Sequence, residues 1–171
     1  MRVNKEIENK LLEQGYKYIK GLEPVVFKGA KTLILGSLPG QQSLNTNEYY
    51  AKKGNRFWPM MEDIFHSTPL KTYADKKALL KEHSIALWDV YYDGYRKGSK
   101  DGYKYATVND IKGFLKKYPT IKQIVIAGKD AQKSFDKLIG DVGVSVIPVT
   151  STSQLNGSWK FQKHQWYDID Y

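Results

Sequence analysis

Residues able to act on a ligand are concentrated between Thr32 and Trp58. A short apolar run, Thr32-Leu33-Ile34-Leu35, opens into the turn Gly36-Ser37-Leu38-Pro39-Gly40. Ser43, the aromatic pair Tyr49-Tyr50, then Lys52 and Lys53 follow, and Asn55-Arg56-Phe57-Trp58 closes the segment. A glycine turn after a strand can cradle phosphate on backbone N–H groups. The Walker pattern, however, needs Gly-Lys-Ser/Thr at its end, and the dinucleotide fingerprint needs G-x-G-x-x-G. Neither occurs, so nucleotide hydrolysis loses its main support. Asn55 has two readings here: a side-chain amide that orients a small molecule, or a cap on a helix starting at Phe57. Tyr50 is either a stacking platform or a core anchor, and Trp58 reads as core. Outside this segment, Asp89 follows a second apolar run and is either a catalytic or positioning carboxylate or a structural hydrogen-bonding group. Ser151-Thr152-Ser153, with Leu155 and Asn156 after them, read in isolation as a polar loop.

Metal and thiol chemistry find no footing. The chain has no cysteine, which excludes disulfides and Cys-held zinc or iron–sulfur clusters. His66, His83 and His164 lack metal-ligand spacing. No metal and no cofactor is expected.

These groups need a scaffold, and the hydrophobic pattern supplies one. Val3, Ile7 and Leu11 form an i,i+4 stripe stopped by Gly15, which predicts a helix. Strands are predicted at 32–35, 84–87, 123–127 and 144–149, each a short apolar run. Helices are predicted at 57–65, 73–83, after Asn109 as N-cap, after Gly128, and over a closing segment bearing Trp159 and Trp166. The stretches 36–55, 89–106 and 150–158 read as loops. Strand–helix alternation predicts a three-layer α/β/α sandwich around a central four-stranded parallel sheet. Ligands of such sheets bind outside the carboxyl ends of the strands, where these three loops would meet. One domain over 1–171 is expected, with 1–23 as an N-terminal helical extension packed on it.

Composition bounds the class. The 171 residues are 41% hydrophobic and 26% charged, with no run long enough to span a bilayer. The N-terminal MRVNKEIENK lacks the apolar core of a secretory signal, so a cytoplasmic protein is the simplest expectation. Lys and Arg number 27 against 18 Asp and Glu, a formal net charge of +9. Such an excess suits a polyanionic partner, and the 13 Tyr and 4 Trp offer faces on which bases stack.

The 32–58 segment resembles the first motif of the uracil-DNA glycosylase superfamily, specifically its hypoxanthine (deoxyinosine) DNA glycosylase branch. The pattern of that branch runs approximately L-I-L-G-S-L-P-G-x-x-S-L-x-x-x-x-Y-Y-A-H-P-x-N-x-F-W. Leu33 to Gly40, Ser43-Leu44, Tyr49-Tyr50-Ala51 and Asn55-Arg56-Phe57-Trp58 match it without a gap. Four further segments follow in family order: Ala86–Val90, Arg96–Asp101, Val108–Ile111, and Ser151-Thr152-Ser153 before Asn156. The resemblance begins near Pro24 and leaves out the first helix.

It implies a monofunctional glycosylase without cofactor that acts on DNA carrying a deaminated base, hypoxanthine first, uracil or xanthine second, and works as a monomer. Mismatch-specific relatives place a catalytic Asn inside the glycine turn; Leu38 stands there and cannot orient a water. The implied catalytic groups are therefore Asn55, with Asp89 as the second. Gly36, Ser37, Leu38, Pro39, Tyr50 and Phe57 would shape the base pocket. Ser43, Lys52, Lys53, Ser151, Thr152, Ser153, Leu155 and Asn156 would face DNA. Lys52-Lys53-Gly54 replaces the usual His-Pro-x, Val149-Thr150 replaces a Pro where the second motif begins, and Gln154-Leu155 replaces Pro-Ala. Leu155 could then serve as an apolar wedge in the gap left by a flipped nucleotide. Two rivals remain at this level: a DNA-binding module on the same scaffold without catalysis, and a hydrolase of small nucleosides or nucleotides.

Overall fold

The computed structural model describes residues 3–98 and 102–171. In chain order the elements are α1 (Lys5–Glu13), β1 (Lys17–Lys20), β2 (Thr32–Gly36), α2 (Gln41–Thr46), α3 (Phe57–Ile64), α4 (Tyr73–Glu82) and β3 (Ile85–Asp89). Then come β4 (Tyr91–Arg96), β5 (Lys104–Val108), α5 (Ile111–Lys117), β6 (Gln123–Ala127), α6 (Lys129–Leu138), β7 (Ser145–Val149), α7 (Trp159–Gln162) and α8 (His164–Tyr167).

Four strands pair in the order β3-β2-β6-β7, all parallel. Their central members, TLILG and QIVIA, are buried on both faces, as parallel strands under two helical layers must be. Alternation then sorts side chains by face. Ile34, Leu87 and Val125 pack with Phe57, Met61, Leu80 and Trp166 in one cluster. Leu33, Leu35, Ala86 and Ile126 pack with Ile111, Phe114 and Phe135 in the other. The expected three layers and four parallel strands are thus present. Helix starts follow local chemistry: Asn4 accepts the Ile7 N–H, and Thr72 with Asp75 forms a reciprocal capping box on α4.

The segment 89–106 departs from the loop reading. It contains β4 and most of β5, which with β1 make a second, antiparallel sheet of order β1-β4-β5. Its Tyr, Thr and Val residues favour this pleat over a coil. Asn109 is also not the cap of the next helix: Asp110 is, accepting the Gly113 N–H. Asn109 is buried instead, and its amide donates to the carbonyls of Asp89 and Tyr91 at 2.8 and 3.1 Å. The closing helix is two single-turn pieces, α7 and α8. Among the described residues no helix is long and apolar enough to cross a membrane, and no group of three acidic, His or Cys side chains could hold a metal.

Candidate active site

Strands β2 and β3 end side by side, with Gly36 and Asp89 as register partners. Partners in a parallel pair project to the same face, so the carboxylate needs the space a residue-36 side chain would fill. A Cβ on Gly36 would sit 2.6 Å from Asp89 Oδ1 and 3.7 Å from the Tyr50 hydroxyl. Glycine here is a requirement of close approach. The carboxylate is nearly enclosed, and its Oδ2 has no hydrogen-bond partner among the described residues. Burial pushes the Asp89 pKa up to about 7, because the charged form loses its hydration. Enclosure also raises the Tyr50 and Tyr49 phenol pKa values, with the Asp89 charge adding to it, so both phenols stay protonated.

The 37–56 segment builds the wall over this carboxylate. Tyr49 is its anchor: the ring is buried, its hydroxyl donates to the Leu22 and Glu23 carbonyls, and its own carbonyl accepts the Trp58 indole N–H at 2.9 Å. Tyr50 adopts a left-handed backbone, φ 56°, uncommon for an aromatic residue and costing on the order of 1–3 kcal/mol. Its ring lies on Phe57, centroids 3.9 Å apart and nearly parallel. Phe57 is fully buried and braces the partly exposed Tyr50 from behind. Asn55 Oδ1 accepts the Phe57 N–H at 2.9 Å, although Arg56 is the N-cap residue of α3. The Asn55 amide nitrogen has no partner among the described residues, so capping leaves a donor available.

The glycine turn is held from outside. Leu38 and Pro39 are buried. Ser37 Oγ shares a hydrogen bond with the Tyr103 hydroxyl, the Ser37 carbonyl accepts the Tyr91 N–H, and Arg96 donates to the Pro39 carbonyl at 3.0 Å. All three holds come from the β4–β5 hairpin, which explains why an aromatic, basic segment sits next to the turn. Its Arg96–Asp101 motif is only partly placed, since Ser99, Lys100 and Asp101 lie outside the described residues.

The third loop reaches the same edge. Asn156 donates to Thr150 Oγ1 and the Ser151 carbonyl, both at 2.7 Å, and accepts the Ser158 N–H. Ser151 and Ser153 hydroxyls accept the Ser153 and Leu155 N–H groups. Leu155 projects from this braced turn, 65% exposed. Lys52 and Lys53 are exposed as well. Two residues expected to face DNA point inward instead: Thr152 is buried, and the buried Ser43 hydroxyl accepts the Ala51 N–H at 3.2 Å. From sequence, Arg56 and Tyr103 have no expected role and Asn109 is expected as a helix cap. The concentration of tyrosines at 91, 92 and 95 was the available signal for the hairpin that carries the support for the turn.

Similarity to known proteins follows the same residues. The family model of the uracil DNA glycosylase superfamily matches residues 24–170. Two proteins, each named hypoxanthine DNA glycosylase, are 30% identical over 150 residues, covering 86% of this chain and 94% of theirs. They come from Methanosarcina barkeri (strain Fusaro) and Methanosarcina acetivorans. The solution NMR structure of a Methanosarcina acetivorans protein, described as a candidate uracil DNA glycosylase, superposes with a TM-score of 0.77 at 28% identity. That match covers 90% of this chain and 96% of the other. With the parallel sheet, the carboxyl-edge loops and a match over nearly the whole length in agreement, this chain belongs to the uracil DNA glycosylase superfamily.

Proposed function

We propose that the protein is a monofunctional DNA glycosylase that hydrolyses the N-glycosyl bond of a deaminated base, hypoxanthine before uracil or xanthine. The observation that carries this is the enclosed Asp89 carboxylate with an unpartnered oxygen, set beside the Tyr50–Phe57 stack at the strand ends. The kinship to two proteins named hypoxanthine DNA glycosylase supports the choice of base.

The chemistry asks for few groups. Glycosidic bond cleavage passes through an oxocarbenium-like sugar, which a nearby anion stabilises and a positioned water captures. An extruded base lies against Tyr50, while Gly36 to Pro39 shape the pocket floor and Phe57 keeps the platform rigid. Asn55 orients the attacking water through its amide. Asp89 accepts the proton as the water oxygen bonds to the sugar carbon, and the electron pair of the breaking bond leaves with the base, which takes a proton from solvent. No amine attacks, so the product is an intact strand with an abasic site. Lys52, Lys53, Ser151, Ser153, Leu155 and Asn156 form the surrounding DNA surface, with Leu155 filling the vacated stack.

A panel of duplexes, each with one hypoxanthine, uracil or xanthine, tests this by base release followed by alkaline strand cleavage. Hypoxanthine should be released fastest, with no strand break before alkali. Salt-sensitive DNA binding without release of any of these bases would overturn the proposal in favour of a binding module. Release from free nucleosides alone would point to a small-molecule hydrolase.

A further inference from the structure

Arg56 connects two of the site's loops through contacts that the glycosylase pattern does not specify, since that position is unassigned between Asn55 and Phe57. Its backbone N–H donates to the Thr152 carbonyl at 3.0 Å. Its guanidinium donates to the next two carbonyls, Ser153 and, at 3.3 Å, Gln154, and its carbon centre lies 5.4 Å from the Trp159 ring centroid. Three successive carbonyls of one loop are thus held by a single residue of another. Nearby, Gly54 has φ +86°, and a Cβ there would collide with Gln154 Oε1. Two of the three segments that depart from the family pattern, 52–54 and 154–155, therefore meet in space. Prolines restrain a loop by fixing φ. Where this chain lacks them in both segments, cross-loop hydrogen bonds take over the restraint.

We infer that Arg56 is a positioning residue that latches the 151–156 loop to the base-pocket loop, so that Leu155 is presented ready to enter the duplex as the base leaves. A planar guanidinium can bond adjacent carbonyls while stacking on an indole; a lysine ammonium cannot do both. No carboxylate lies within ion-pair distance of Arg56 among the described residues, so its donors serve the loop. Preforming the wedge removes the ordering entropy that a free loop would lose on insertion. The inference rests on the proposed base-flipping glycosylase activity, and its benefit is confined to duplex substrate, where a stack must be opened.

The test uses the full chain with Arg56→Ala, Arg56→Lys and Leu155→Ala. Duplex opening is read by fluorescence of a 2-aminopurine placed beside a hypoxanthine, and excision by single-turnover release from duplex and single-stranded oligonucleotides of one sequence. Arg56→Ala should lower the duplex-to-single-strand ratio of excision rates about tenfold and cut the fluorescence rise to a similar extent. Arg56→Lys should resemble it, and adding Leu155→Ala to Arg56→Ala should cost little more, because both disable one device. Equal loss on both substrates, or a lysine variant that opens duplex like the parent, would overturn the latch. Melting curves of each variant separate these results from simple unfolding. If the parent chain opens the duplex but removes no base, the excision reading fails, and the latch stands only where the Arg56 variants lose the fluorescence rise; if the parent gives no fluorescence rise, the latch fails.

Discussion

At the scale of single residues, Asp89 is the group most at odds with its surroundings. Holding its pKa near 7 rather than 3.8 means that the folded protein binds the proton more tightly than the unfolded chain does. Stability therefore falls as pH climbs from about 4 to about 7, and above that the buried charge costs on the order of 4 kcal/mol. Asp89→Asn should raise the melting temperature at pH 8 and leave it nearly unchanged near pH 4, as scanning calorimetry would show. In the proposed mechanism the same residue sets the rate. Acting as a base, it makes single-turnover excision rise through about pH 7 to a plateau, and the Asn variant should lose both the rate and that inflection. A rate that falls across this range would reassign the carboxyl as an acid. Asn55→Ala should slow excision about a hundredfold while DNA affinity, read by anisotropy, stays within a few-fold. Losing its bond to the Phe57 N–H should also cost about 1 kcal/mol of stability.

Among the elements, the parallel strands were legible because their apolar runs have no other stable home. The β4–β5 hairpin was not: Tyr, Gly and Lys resemble loop composition, and its strands are recognisable only by pairing with each other and with the distant β1. Asn109 was misread for a related reason. Both Asn109 and Asp110 can cap a helix, and only the burial of Asn109 between the Asp89 and Tyr91 carbonyls decides which one does. The candidate site was legible in its residue types and not in which way they face, as Ser43 and Thr152 show. The closing segment, expected as one helix, forms the short pieces α7 and α8, and these lock the third loop. Trp166 is fully buried, packs edge-on against Phe57, and donates its indole N–H to the Thr150 carbonyl at 2.8 Å. Trp166→Ala should destabilise the fold by about 3–5 kcal/mol in denaturant titration. At temperatures where the variant stays folded, hydrogen exchange should quicken at 150–156 before the central strands.

For the whole molecule, the excess of positive charge becomes a thermodynamic expectation. Each phosphate neutralised on duplex DNA contributes about 0.9 to the slope of log affinity against log salt. Replacing Lys52 and Lys53 with Gln should weaken binding and make the slope shallower by about one to two, measured by titration at several salt concentrations. An unchanged slope would place the phosphate track elsewhere on the surface. Charge alone left the partner open at the level of sequence; the motif order from Leu33 to Asn156 narrowed it, and the fold brought those separated segments to one edge.

The pairing of Gly36 with Asp89 carries a lesson for engineering. Their relative placement is set by backbone ladders of the central sheet, while the walls and rim belong to connecting segments anchored from other parts of the chain. Scaffold and selectivity are thus separable modules. Exchanging residues 37–56, with Asn55 kept, together with 150–156 for the matching pieces of a relative should re-tune which lesion the proposed enzyme removes while Asp89 and Asn55 stay in place. Moving either piece alone would break the contacts between them.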